Sequence, residues 1–198
     1  VNVAGVDFNA PLQFLEPREI TQMVNVNFLG GMLLTRAALP LMRHDASRVV
    51  FVSSAMGLLA TPIITTYCGT KSGIEGFADA LRIELRAVGI KVCLVEPGVI
   101  RTPMTRDAMA MLDRMLARMD QASRAVYERA MRKIAESSAN PPKSSATTDD
   151  TSRTIKEALT AAKPARRYQV GIDCKAARIV GLLPHALQDW IQRKMVGL

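Results

Sequence analysis

Tyr67 and Lys71 stand four residues apart at the start of a stretch with helical spacing, so their side chains leave one face a turn from each other. A phenol beside an ammonium is a proton-transfer pair. The free phenol, with a pKa of about 10, is too weakly acidic to act as a base at neutral pH, and a nearby positive charge stabilises its phenolate. The spacing alone is common, and a surface helix accounts for it equally well. Its context gives it weight. Ser54 follows directly on the apolar run Arg48–Ser53, thirteen residues before Tyr67, and side chains just past the carboxyl ends of strands in an α/β sheet face the ligand crevice. Asn27 sits within a largely apolar helical stretch, where a buried amide is costly unless hydrogen-bonded. Pro97-Gly98-Val99-Ile100-Arg101-Thr102 again begins at a strand's end. Four polar features thus converge on one edge.

The elements that must position them alternate. Val1–Ala4 reads as the tail of a buried strand, and a long helix runs from about Pro17, whose fixed φ suits a first helical position, to the region of Pro40. A strand at 48–53 is followed by a helix from Tyr67 to about Val88, closed by Gly89, and by a strand at Lys91–Val95 that Pro97-Gly98 stops. Strands without alternating polarity, separated by helices, imply a parallel sheet covered on both faces. After Thr102 comes a Met-rich helical stretch, then a Ser/Pro/Thr-rich break at Ser137–Thr148. A helix near Thr151–Ala162, a strand at Arg167–Val170 and an amphipathic end from Ala176 to Met195 complete the chain. There is no internal repeat, and the break is too short to separate two domains. One domain is expected, with 1–102 as its catalytic core and 103–198 as a helical substrate lid and C-terminal segment.

Composition narrows the class. The 198 residues are 48% hydrophobic and 22% charged, which excludes a disordered tail, a collagen-like repeat and a disulfide miniprotein. Cys68, Cys93 and Cys174 are odd in number, far apart and without metal-ligand partners, so free thiols and no structural zinc are expected. No apolar run reaches the roughly 18–20 residues of a membrane span, and no charged-then-apolar leader opens the chain. The expected location is cytoplasmic. Val1 opens in what reads as mid-strand, which points to processing, a non-Met start or a missing N-terminal segment. The net charge of +8 is a C-terminal property, with nine basic against eight acidic residues in 1–104 and seventeen against ten in 105–198. With aromatics at 5% and the basic residues interleaved with acids, nucleic-acid binding is not expected.

The five segments Val1-Asn2-Val3-Ala4-Gly5, Val26-Asn27-Phe28-Leu29-Gly30, Ser53-Ser54, Tyr67-Cys68-Gly69-Thr70-Lys71 and Pro97–Thr102 resemble, in order and spacing, the motifs of the short-chain dehydrogenase/reductase family. The likeness is dense over residues 1 to about 102 and loose beyond. Val3 departs from the family's usual second Asn, leaving Asn2 to tie the sheet together. The resemblance implies a Rossmann-like doubly wound α/β fold, here its C-terminal portion, and NAD(P)-dependent interconversion of a hydroxyl and a carbonyl. It assigns Ser54 to the substrate oxygen, Tyr67 to proton exchange, Lys71 to the nicotinamide ribose and to lowering the Tyr67 pKa, and Asn27 to a water relay. Asn2, Ala4, Gly5, Tyr67, Lys71, Pro97, Gly98, Ile100 and Thr102 would contact NAD or NADP, with Thr102 and the Ile100 backbone at the carboxamide. Plain structural roles compete: a helix cap for Ser54 and Thr102, and a helix-bending amide for Asn27.

By the same resemblance the glycine-rich phosphate turn and the first three strands would lie upstream of Val1, leaving Val1–Ala4 as an exposed apolar edge. The chain then reads as a fragment of a longer enzyme, a truncated product, or a chain whose edge a partner covers. Met104, Met109, Met111, Met115, Met119 and Met131 fall in the segment that closes over substrate in this family, and methionine suits a loosely specified apolar ligand; core packing explains them as well. Pro164–Gly171, Leu182-Leu183-Pro184-His185 and Trp190 look like the hydroxysteroid and retinol dehydrogenase subgroup, so a lipophilic alcohol or ketone is the expected substrate. The helices near 17–39 and 67–88 are the family's usual subunit interface, which implies a homodimer or homotetramer. Ile179, Leu182, Leu183, Leu187, Trp190 and Ile191, with Arg178, Arg193 and Lys194, could rest weakly on a membrane surface, though packing within the subunit or a dimer fits them as well. His44 and His185 have no catalytic or metal pattern. Two rivals stand beside this reading: a truncated, inactive member acting as a dimerisation or interaction module, and a small-substrate reductase of the acyl-chain type, against which the long Met-rich segment argues.

Overall fold

The computed structural model describes residues 1–42, 47–102, 105 and 107–198; His44 and Met104 lie outside the described residues. Helix α1 (Pro17–Val24) runs through a π-type turn (Asn25–Leu29) into α2 (Gly30–Ala38), followed by strand β1 (Arg48–Val52), the short α3 (Ala55–Leu58), the long α4 (Thr65–Arg86) and β2 (Lys91–Pro97). Beyond it come α5 (Ala108–Leu116), α6 (Gln121–Ala139), α7 (Thr148–Thr160), β3 (Arg167–Val170), α8 (Ile172–Val180) and α9 (His185–Val196). The three strands make one parallel sheet in the order β1-β2-β3, with Arg48 opposite Lys91 and Leu94 opposite Arg167.

Alternation along the strands builds two cores. Val49, Phe51, Val92 and Leu94 point to one face, where Ile74, Ala78 and Leu81 of α4 cover them and Phe77 meets Phe51 edge to face at 5.7 Å. Val50, Cys93, Val95 and Val170 point to the other, against Ala158 of α7. The helix ends carry their own signals. Pro17 at the first position and a Glu16/Glu19 capping box open α1, Asp120 caps α6, a Thr147/Asp150 box opens α7, and Gly89 at φ 75° lets the chain leave α4. The polar break therefore starts after Ala139 rather than at Ser137, and the amphipathic end is two helices, divided at 181–184.

The strand expected at Val1–Ala4 is reduced to a single parallel bridge. Asn2 N–H donates to Val50 O at 2.8 Å and Asn2 O accepts from Val52 N–H at 2.9 Å. Two residues past Ala4, Val6 is gripped through both its N–H and its C=O by the Asn27 amide, which draws the backbone off the sheet. Val1 and Val3 stand half in solvent on the open edge.

A third apolar cluster gathers Met115, Met119 and Met131 with Leu112, Leu116, Ala130, Met23 and Leu15. These three methionines are buried in the core. Met109 and Met111 remain partly exposed at its margin. The three cysteines are buried free thiols. Among the described residues no helix is long and apolar enough to cross a membrane, and no group of His, Cys, Asp and Glu could hold a metal ion.

Candidate active site

Hydrogen bonding between the strands sets β1 and β2 side by side to their carboxyl ends, Val52 opposite Val95, with Ser53 N–H donating to Val95 O at 2.8 Å. The chain then turns sharply. Ser54 is extended, and its Oγ accepts from Met56 N–H at 3.2 Å, capping α3. The same side chain lies near the Tyr67 phenol and lowers its pKa, so the helix cap stands beside the phenol. One turn along α4, Lys71 sends Nζ to Val52 O at 3.0 Å, 5.6 Å from the Tyr67 ring centre. The strand end thus fixes the ammonium through its last ladder-free carbonyl.

Asn27 is placed by the π-type turn, whose extra residue per turn swings it inward. Its Oδ1 accepts from Val6 N–H at 2.7 Å, and its Nδ2 donates to Val6 O at 2.8 Å and to Thr70 Oγ1 at 3.3 Å. The amide is thereby a clamp between the N-terminal segment and α4. Asn2 bridges β1 and donates from Nδ2 to Thr35 Oγ1 at 3.3 Å, tying the sheet edge to α2 as expected. Ala4 is exposed, while Gly5 passes directly over the site: a Cβ there would stand 3.6 Å from Asn27 Oδ1 and 3.9 Å from Lys71 Nζ.

The electrostatics differ from the expectation in one respect. Burial pushes the Tyr67 phenol well above its ordinary 10, the Asp7 carboxylate adds to this, and Ser54 offsets part of it. The Lys71 ammonium stands 5.6 Å from the Tyr67 ring centre. Its own pKa falls to about 8 because burial penalises the ammonium, with Glu75 and Asp7 opposing that fall. Asp7, raised by burial from 3.8 to about 6, keeps Oδ1 buried without a partner.

Pro97 ends β2, and the loop beyond is held at both sides. Gly98 N–H donates to Val170 O at 2.9 Å, Val99 N–H to Asp173 Oδ2 at 2.6 Å, and Thr102 N–H to Thr105 Oγ1 at 2.8 Å, whose hydroxyl donates to Ile100 O at 2.9 Å. Ile100 and Thr102 therefore sit in one closed turn beside the strand ends.

Three groups escaped the sequence reading. Asp7 follows Gly5 with no pattern to mark it. Glu75 and Asp79 continue the four-residue stripe of Tyr67 and Lys71, and Arg167 of β3 binds both of them together with the fully buried Glu96. That stripe, and a lone acid inside the apolar β2, were the available signals. Asp173 was visible only as an acid in a helix's first turn. One open surface depression beside Tyr168, Lys175 and Arg178 shares Arg167 with the cluster around Glu96, and another lies beside Trp190 and Arg193.

The nicotinamide nucleotide expected by resemblance can be tested against these residues. Gly5 leaves open the space a side chain would fill, and beside it Lys71 presents a cationic donor group with three hydrogens, one of which goes to Val52 O. The donor set fits a ribose hydroxyl pair. Comparisons with known proteins agree in kind. The human 17-beta-hydroxysteroid dehydrogenase type 6 is 33% identical over 198 aligned residues, covering 96% of this chain and 62% of that protein. A short-chain dehydrogenase from Streptomyces avermitilis superposes with a TM-score of 0.73 at 24% identity, over 99% of this chain and 68% of that one. One from Burkholderia phymatum, solved in complex with NAD, gives 0.71 at 21% identity over 96% and 66%. The α/β fold is thus shared. The chain spans about half to two thirds of the length of curated relatives it matches. A model of the short chain dehydrogenase family matches residues 1–113, the stretch that carries Asn27, Ser54, Tyr67, Lys71 and the Pro97–Thr102 turn, and the chain belongs to that family.

Proposed function

We propose that the chain is the catalytic portion of an NAD(P)-dependent oxidoreductase that interconverts a hydroxyl and a carbonyl on a lipophilic substrate. The observation that carries this reading is the grouping of Ser54, Tyr67 and Lys71 at the carboxyl end of β1, with Lys71 Nζ donating to Val52 O at 3.0 Å and standing 5.6 Å from the Tyr67 ring centre. Ser54 Oγ would hold the substrate oxygen, and Tyr67 Oη would give that oxygen its proton in reduction or take it in oxidation. When bound, the nicotinamide supplies or accepts the hydride. Lys71 Nζ would hold the ribose, and the Ile100–Thr102 turn the carboxamide. Burial keeps the phenol protonated at neutral pH, with the Lys71 ammonium 5.6 Å from the ring centre.

Phe8, Met109, Met111 and Tyr127, packed with Tyr67 around the methionine-rich core, support an apolar substrate. Turnover of NADPH or NADH with a panel of steroid, retinoid and long-chain ketones checks the class: activity confined to short polar ketones contradicts it. A second reading is an interaction module, favoured by Leu33, Leu34 and Ile83 lying exposed on α2 and α4. The same faces support a homodimer or homotetramer in either reading, and sedimentation of wild type against Leu34→Glu tests it, with a monomeric wild type as the contrary result. Exposed Ile179, Leu182 and Trp190 near Arg178 and Arg193 support weak contact with an anionic membrane surface. Equal recovery with anionic and neutral vesicles on flotation would contradict that contact.

A further inference from the structure

We propose that Asp173 is a positioning residue that fixes the Gly98–Thr102 backbone for the nicotinamide end of the cofactor, a role that rests on the functional reading above. The β2–β3 ladder makes its last bond from Gly98 N–H to Val170 O at 2.9 Å. Val99 carries the next backbone N–H, and the Asp173 carboxylate takes it, Oδ2 accepting at 2.6 Å, short as charge-assisted bonds are. Asp173 lies in the first turn of α8, where a carboxylate is favoured by the helix dipole. Gly171, at φ 97°, makes the left-handed turn that brings this helix end under the loop, and a Cβ there would press on Asp173 Oδ1 at 2.5 Å.

The fit is close on the loop side as well. A Cβ on Gly98 would overlap the Asp173 carboxylate carbon and both its oxygens, although the φ of Gly98 is not positive and an alanine would suit the backbone. Gly98 is therefore required by the carboxylate rather than by its own conformation. Asp173 Oδ1 is buried and makes no hydrogen bond, so the side chain is held in place for the sake of the Val99 contact. With Thr105 closing the far side, Val99 to Thr102 is held at two points. The carboxylate joins the C-terminal helices, which the sequence reading assigned to the substrate, to the turn assigned to the cofactor.

The test compares wild type with Asp173→Ala, Asp173→Asn, Gly98→Ala and the double variant Gly98→Ala/Asp173→Ala. Amide hydrogen exchange read by NMR should speed at Val99 about tenfold or more in Asp173→Ala, with Val50 in β1 unchanged, and stay near wild type in Asp173→Asn, whose amide oxygen still accepts. Gly98→Ala should lower Tm, and most of that loss should vanish when Asp173 is also alanine. The Kd for NADH or NADPH, by cofactor fluorescence, should rise about tenfold in Asp173→Ala and recover in Asp173→Asn. Unchanged Val99 exchange, or additive Tm losses, would overturn the clamp. A freed Val99 with unaltered cofactor affinity would overturn its positioning role. A wild type that binds neither cofactor would remove the functional reading and the positioning role with it, while the exchange and double-variant results would still judge the clamp.

Discussion

Around Tyr67 the interior is polar and committed atom by atom, whereas around Met115 it is apolar and held by shape. Asn27 spends its amide on Val6 and Thr70, Lys71 bonds Val52, and Arg167 reaches Glu75, Glu96 and Asp79. Some forty residues further along, Met115, Met119, Met131, Leu112 and Leu116 pack into one apolar cluster. The two regions answer to different physics. A buried polar group needs its particular partner, because losing one leaves the other unsatisfied in low dielectric. An apolar cluster tolerates exchange of similar volumes at modest cost. The first can hold reacting groups to a fixed geometry, and the second can change its lining without losing the fold.

That contrast can be broken deliberately. Arg167→Met strips the counter-charge from Glu75 and the fully buried Glu96 and should cost about 3–5 kcal/mol in urea unfolding, while Glu75→Gln in the same background should recover part of it. Met115→Ala, with the side chain fully buried in the apolar region, should cost about 2–4 kcal/mol, but Met115→Leu less than about 1.5. A conservative exchange at Lys71 should have no such mild counterpart: Lys71→Met should abolish the Val52 contact and weaken cofactor binding.

Asp7 sharpens the comparison through pH. Its carboxyl titrates at about 6 in the folded chain against 3.8 when unfolded, so the native state holds the extra proton between these values. Stability from this group is therefore highest below about pH 4, falls as pH rises through 6, and stays lowered at neutral pH. Asp7→Asn should flatten that dependence and stabilise the protein at pH 7.5 by about 2 kcal/mol, less than the roughly 3 of the full shift because the residue keeps some solvent contact. Thermal melts from pH 4 to 8 measure this. At the far end, Leu182→Ser, on a residue 82% exposed between α8 and α9, should change stability by less than about 0.5 kcal/mol.

The same division explains what the sequence could convey. Tyr67, Lys71, Ser54 and Asn27 stood out because each is a polar residue at a telling place in an apolar pattern, and the strands at 48–53 and 91–95 because their runs are short, largely apolar and bounded by breakers. The structure places Ser54 just past β1 and brings Lys71 to the end of that strand. The rest depended on distant partners. Nothing local announces that Asn27 grips Val6, so Val1–Ala4 reads as a strand although only Asn2 pairs. Methionines at helical spacing fit a lid or a core equally, and the partners that bury Met115, Met119 and Met131, Met23 and Leu15 among them, lie far off in sequence. Arg167, Glu75 and Glu96 lie on three separate elements, and Asp173 meets Val99 across 74 residues of chain.

The central proposal is that the half-buried phenol of Tyr67, beside Ser54 and flanked by Lys71, exchanges the proton in a nicotinamide-dependent interconversion of hydroxyl and carbonyl. The most direct measurement is single-turnover oxidation of bound NADPH or NADH by a lipophilic ketone, in wild type and in Tyr67→Phe, with cofactor Kd measured on the same samples. The account predicts equal Kd values and a turnover roughly 10²–10⁴-fold slower without the hydroxyl. Turnover that survives the substitution unchanged would contradict it.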